Sequence, residues 1–203
     1  MDLNTCNHDY VDLGLSVKWA TCNVGAKRPE DCGDYFAWGE IETKDYYTED
    51  TYRWGYEKDA PIKYNTNGHI GPIDNKITLD FEDDAAHVKW GGNWRMPIKE
   101  ELEELLSNCN WKWSIRNGIA GLAVTSKVVG FQNQTLFMPA SGCRENNSSY
   151  SMGKCGFYWS KNVDPFLAKQ AYSFNFYSYK GADNAYLEHI PRWYGFPIRP
   201  VCE

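Results

Sequence analysis

The sequence predicts an α+β domain with many short strands, few helices and long loops. Three observations predict it. Aromatic residues make up 16% of the chain, with 9 Trp and 14 Tyr against a thin supply of aliphatics, and 17 glycines punctuate it. Large flat side chains hold irregular loops together where branched aliphatics are scarce. The clearest helical period follows Met96, and most other apolar runs are short and bounded by Gly, Pro or Asn. At 203 residues the chain is read as one domain over 1–203, long enough for a sizeable core.

The elements follow in order. Tyr10 to Leu15 alternates weakly as a strand, and Val17 to Cys22 reads as a second. Asn23 to Ala26 turns, Pro29 to Gly33 is a polar loop, and Tyr35 to Glu40 is a short buried strand ending at Gly39-Glu40. About 43–80 reads as a long insertion-like loop ordered by its own aromatics: Tyr46, Tyr47, Tyr52, Trp54 and Tyr56. Asp83 to Val88 suits one or two helical turns with the Asp residues at the favourable N-terminal end. A helix then runs to near Asn108, with Pro97 at its first position and Glu100 and Glu101 in its first turn. Its apolar face is Ile98, Leu102, Leu105, Leu106 and Cys109.

Beyond it, Trp111 and Trp113 alternate with Lys112, as in a strand or an exposed aromatic ribbon. Gly121–Val129, Thr135–Ala140, Gly156–Ser160 and Ala171–Tyr179 read as strands, and Arg144–Ser151 as a polar loop. Phe196 to Val201 closes the chain, and its prolines place it at a sheet edge or with its N–H side unpaired.

Composition narrows the function. A net charge of −6 without a basic stripe argues against nucleic acid. No stretch reaches the apolar length of a transmembrane segment. Met1-Asp2-Leu3-Asn4 is polar, so either no secretory leader belongs to the chain or one has been removed. The seven cysteines form no C-x-x-C pair and read mainly as small buried hydrophobes; a disulfide from Cys6 or Cys22 to Cys202 stays open if the protein is exported. His8, His69, His87 and His189 lack ligand spacing, and the acidic cluster Asp80, Glu82, Asp83 and Asp84 reads as a solvated face. No catalytic residue, metal or cofactor is expected.

Several blocks stand in a telling order. Tyr10-Val11-Asp12-Leu13-Gly14-Leu15 leads to Trp19-Ala20-Thr21-Cys22-Asn23-Val24-Gly25-Ala26, then to Gly33-Asp34-Tyr35-Phe36-Ala37-Trp38-Gly39-Glu40. Trp94-Arg95-Met96-Pro97, Phe137-Met138-Pro139-Ala140-Ser141-Gly142 and Gly156-Phe157-Tyr158-Trp159-Ser160 follow, and Gly195-Phe196-Pro197-Ile198-Arg199-Pro200-Val201 ends the series. Over nearly its whole length the chain resembles the C-type-lectin-like fold in its formylglycine-generating-enzyme-like form, in particular the major paralogous domain proteins of gut anaerobes. The resemblance implies small twisted antiparallel sheets, with Val11-Asp12-Leu13 beside Ile198 to Val201, the helix packed on a sheet, and a ligand surface built in the C-terminal half. The fold hosts enzymes, lectins and adhesins alike. Formylglycine-generating enzymes use a close cysteine pair, whereas Cys143 and Cys155 stand twelve apart. The Glu-Pro-Asn or Gln-Pro-Asp and Trp-Asn-Asp motifs of calcium-dependent lectins are absent.

From Phe157 to Tyr194 the chain is rich in Tyr, Ser and Asn, the composition of a paratope. Tyr172, Asn175, Tyr177, Tyr179, Asn184, Tyr186 and His189 are the candidate ligand-binding residues, with Trp193 and Tyr194 as aromatic anchors. Phe174 and Phe176 are assigned to the core. This stretch also resembles the variable region of diversity-generating-retroelement target proteins, which precedes a Gly-x-x-x-Arg ending, here Gly195 to Arg199. Trp38, Trp90, Trp94 and Trp159 are expected to pack with their indole N–H groups on loop carbonyls. Arg95 and Arg199 are expected to form ion pairs or carbonyl clamps, with Asp12 and Glu40 as possible partners.

The sequence thus points to a non-catalytic recognition module for adhesion or receptor binding. Its partner would be a protein or glycan ligand on a cell surface. The module would sit at the cell surface or outside the cell if a leader was removed, and otherwise in a virion or the cytoplasm. The alternatives are a formylglycine-generating-type oxidase and a structural subunit of a surface or virion assembly.

Overall fold

The computed structural model describes residues 8–57, 60–178 and 185–203. The fold is mixed helix and sheet. Its strands are β1 (Tyr10–Val11), β2 (Lys18–Ala20), β3 (Tyr56–Glu57), β4 (Ala60–Pro61), β5 (Cys109–Arg116), β6 (Ile119–Ser126), β7 (Thr135–Pro139), β8 (Cys143–Glu145), β9 (Ser148–Tyr150), β10 (Cys155–Val163), β11 (Gln170–Tyr177), β12 (Tyr186–Pro191) and β13 (Val201–Cys202). The helices are α1 (Ala85–Trp90) and α2 (Lys99–Asn108), with a 3-10 turn at Phe81–Asp83. Among the described residues the strands form three three-stranded sheets, β1-β2-β13, β5-β6-β7 and β10-β11-β12, and two hairpins, β3-β4 and β8-β9. Their pairings are antiparallel.

The two ends of the chain share a sheet, but not as expected. β2 lies between β1 and β13: Trp19 is the register partner of Val11 on one side and of Val201 on the other. The direct pairing of Val11-Asp12-Leu13 with Ile198 to Val201 does not form. Asp12 accepts the Gly14 N–H at 2.9 Å and Gly14 adopts a φ of 71°, so the chain turns after two strand residues and drops Leu13 into the core. Tyr35 to Glu40 is buried, as expected, except for a half-buried Tyr35, but makes only the single bridge Phe36–Phe196. Trp38 N–H donates to Arg192 O instead of to a neighbouring strand.

Helix α2 keeps its predicted apolar face, with Leu102 and Leu105 buried. It begins at Lys99 rather than Pro97, because Glu101 folds back to accept the Ile98 N–H at 2.8 Å. Trp111 and Trp113 lie on β5 and pack against the core. Arg144 to Ser151 is not a loop throughout. It contains the hairpin β8–β9, turned by Asn146 at a φ of 53°. The insertion is tied down by its aromatics. Tyr47 and Tyr52 donate to Tyr35 O and Trp38 O at 2.6 and 2.8 Å, and Trp54 donates to Gly39 O at 2.9 Å. Phe196 to Val201 is buried, and the outer side of Val201 exchanges both backbone bonds with Arg95.

Two cores meet at the β10–β12 sheet. One joins α2 to Leu122, Val124, Met138, Tyr158, Phe174 and Phe176. The other gathers Phe36, Trp38, Met96, Trp159, Ala171, Phe196 and Ile198. That sheet is therefore covered on both faces, and its alternation decides where each candidate side chain goes.

Candidate recognition surface

On β11, Tyr172, Phe174 and Phe176 point to the α2 side, while Ser173, Asn175 and Tyr177 point to the Trp159 side. Phe174 and Phe176 are core residues, as expected, with exposures of 0% and 1%. Strand β12 continues the alternation. His189 stands opposite Tyr172, and Tyr186 opposite Asn175.

The Trp159 side carries a chain of rings. Tyr186 stacks on Tyr177 with centroids 6.0 Å apart, and Tyr177 meets Phe157 edge-on at 5.6 Å. Phe157 stacks on Phe196 at 5.2 Å, Phe196 lies 6.0 Å from Tyr194, and Tyr194 stacks on Trp193 at 4.0 Å. All of these except Phe196 are half-buried, so each offers part of a ring to solvent. Tyr194 also donates to Glu145 on β8 at 3.1 Å. Burial, with the Glu145 carboxylate beside it, pushes the Tyr194 hydroxyl up to about 12, so it stays a neutral donor at neutral pH. Tyr177 is likewise raised, first by burial, then by its bond with Tyr186 and by Glu188.

Asn175 departs from the expected surface position. It is fully buried, at 0% exposure, because the central strand is flanked by Phe157 on β10 and Tyr186 on β12. Its Nδ2 donates to Glu188 at 2.8 Å, while its Oδ1 has no partner among the described residues.

Tyr172 and His189 do not join this group. They lie at the opposite face with ring centroids 4.9 Å apart. The His189 Nδ1 pairs with the buried Asp164 carboxylate, which also accepts the Phe166 and Leu167 N–H groups. Lys99 at the start of α2 places its ammonium 4.9 Å above the Tyr172 ring. The nine candidates thus divide: Tyr177, Tyr186, Trp193 and Tyr194 share one surface, Tyr172 and His189 another, and Asn175 lies beneath the first. Tyr179 and Asn184 fall outside the described residues. Sequence reasoning passed over Phe157, Glu188 and Glu145. Glu188 was legible in principle, two residues from Tyr186 on a strand, where period two returns the same face.

Two clefts border these surfaces. One of about 370 Å³ lies among α2, β5 and β12, lined by Glu103, Leu106, Trp111, Tyr186 and Leu187. Another of about 320 Å³ lies beside the β10–β11 loop, where Phe166 is 84% exposed.

The remaining candidate chemistry is structural. Asp80, Glu82 and Asp83 converge, but the Lys63 ammonium sits among them at 2.9, 3.3 and 2.5 Å, where a cation would bind. Asp83 and Asp84 are buried rather than solvated. Asp84 accepts the His87 and Met96 N–H groups and pairs with Lys161 at 3.2 Å. Cys143 and Cys155 are free. Burial, then Glu145 and Cys155, pushes the Cys143 thiol up to about 11, and burial raises Cys155 as well, so both are weak nucleophiles at neutral pH. Cys22 is free while Cys202 is disulfide-bonded, which removes the Cys22–Cys202 pairing; Cys6 lies outside the described residues.

Trp38 and Trp159 donate to Ser160 O and Phe36 O at 2.9 and 2.8 Å, as expected. The Trp94 Nε1 finds no partner among the described residues, and Trp90 stacks on His8 at 3.9 Å. Arg199 is a carbonyl clamp: Nη1 donates to Ala20 O and Thr21 O at 3.0 and 2.6 Å, and Nε to Asn23 Oδ1 at 2.7 Å. Arg95 pairs with Glu101 at 2.6 Å. Asp12 and Glu40 are not their partners. Asp12 caps Gly14, and Glu40 binds Lys44 at 2.8 Å and the Arg53 N–H at 2.7 Å.

No family model matches the chain, and comparisons with curated proteins and with solved structures return no match.

Proposed function

We propose that this chain is a C-type-lectin-like domain of the formylglycine-generating-enzyme-like form, working as a non-catalytic recognition module at a cell surface. Seven sequence blocks in family order support the fold, as does the sharing of one sheet by strands from the two ends of the chain, with β2 between β1 and β13. The observation that carries the functional reading is the run of half-buried rings from Tyr186 through Tyr177 and Phe157 to Tyr194 and Trp193. Rigid amphipathic rings give contact area at small entropic cost, and their hydroxyls add directional bonds. A protein loop or a flat sugar face fits such a surface. The bonded Cys202 supports an oxidising compartment. The position of the rings just before Gly195 to Arg199 supports the diversified target protein of a retroelement. The raised thiols of Cys143 and Cys155 weigh against the oxidase alternative.

The test is a glycan array and a displayed peptide library, each probed with the whole chain and again with chelator. Binding that survives chelator and drops on the order of tenfold in Tyr177→Ala or Trp193→Ala, with unchanged melting, is the expected result. Chelator-sensitive binding, or binding indifferent to both substitutions, would falsify this surface as the site.

A further inference from the structure

We infer that the ring surface takes a cationic group, a guanidinium or ammonium carried on a basic peptide segment. This rests on the recognition reading above. Beside the Tyr177–Tyr186 stack lies the half-buried Glu188, whose carboxylate has one partner among the described residues, the Asn175 Nδ2 at 2.8 Å. No Lys or Arg of the described residues pairs with it. The Asn175 Nδ2 donates to that carboxylate, and the Asn175 Oδ1, buried beneath it, finds no donor among the described residues. Among the described residues, no positive charge faces that carboxylate. Buried acceptors are rarely left unpaired in native structures.

The rings add the rest of the chemistry. Tyrosine and phenylalanine faces attract cations through their quadrupole, and the attraction strengthens where water is thinned out. Glu145 bonded to Tyr194 puts a second carboxylate on the same surface. An anionic or neutral apolar ligand would desolvate Glu188 without supplying a counter-charge, which is costly. A guanidinium satisfies the carboxylate by paired N–H donors and stacks on a ring at the same time. The net charge of −6 favours the approach of a basic partner.

The experiment selects random displayed peptides on the immobilised whole chain, and repeats the selection on Glu188→Gln, which keeps an acceptor for Asn175 and removes the charge. Peptides enriched in Arg or Lys on the native chain are expected. The best of them, resynthesised, should bind Glu188→Gln on the order of tenfold more weakly and lose affinity as salt rises. Glu188→Lys should turn selection toward acidic peptides. Selected peptides without basic residues, or bound equally by Glu188→Gln, overturn the cationic preference and leave the recognition reading standing. Selection at background level on the native chain overturns the cationic preference, and together with a silent glycan array it overturns the recognition reading too.

Discussion

The fold rests on a few buried polar side chains, and Arg199 is the clearest. It is 1% exposed, and no carboxylate contacts it among the described residues. Desolvation lowers its affinity for a proton, yet a guanidinium keeps its charge, so the cost of burial must be offset by its donors. Three bonds to Ala20, Thr21 and Asn23 do this and fasten the last strand to β2. Arg199→Met leaves those acceptors without donors and should destabilise the chain by about 3 kcal/mol, read as a lower urea midpoint at unchanged slope. Arg199→Lys should recover little, because a point charge cannot span three separated acceptors. A structural role was legible in the sequence from an Arg beside Pro200 at a strand end, but whether as an ion pair or a carbonyl clamp was not. Its partners were not. Asp12 and Glu40 were plausible by charge, but each is consumed by a local turn, and nothing in one-dimensional spacing reveals which carbonyl a long side chain reaches.

At the level of elements, legibility followed periodicity. The C-terminal end of helix α2 was read closely, because five apolar positions repeat on one face. Its start was displaced because Glu101 both accepts the Ile98 N–H and grips Arg95 at 2.6 Å, so the helix begins at Lys99 and Ile98 is its cap. Glu101 is 6% exposed, so these contacts are shielded from solvent. Glu101→Ala should cost roughly 2–4 kcal/mol, the cap and the broken ion pair together. Glu101→Gln keeps the cap and should recover part of that loss in a thermal melt. Equal melts for the two variants would show that the cap contributes nothing. The hairpin β8–β9 escaped reading because Arg144 to Ser151 is polar on both faces and carries no alternation. Its register comes from the Asn146 turn and from bonds to Tyr47 and Gly195. Tyr35 to Glu40 failed in the other direction. Its apolar run is buried as predicted, but it packs as irregular chain, since burial and strand pairing are separate demands.

For the molecule as a whole, the decisive fact is that the β10–β12 sheet has a core on each side. Composition pointed correctly to the segment 157–194 as rich in tyrosine and asparagine, and it could not say that the segment feeds two faces. Period two assigns Tyr172 and His189 to the α2 side, and Tyr177 and Tyr186 to the ring side. The two sets should therefore behave differently toward one ligand. If binding uses the ring side, Tyr172→Ala and His189→Ala leave the affinity of a selected peptide within about twofold, whereas Tyr177→Ala and Trp193→Ala each weaken it on the order of tenfold. His189 gives the sharper contrast. Its loss frees the buried Asp164 carboxylate and should lower stability while leaving affinity intact. Calorimetric titration of each folded variant, with a melt recorded beside it, separates the two effects. The reverse pattern, with affinity lost at Tyr172 and His189 and kept at Tyr177 and Trp193, would move the site to the α2 side, where Lys99 faces the Tyr172 ring.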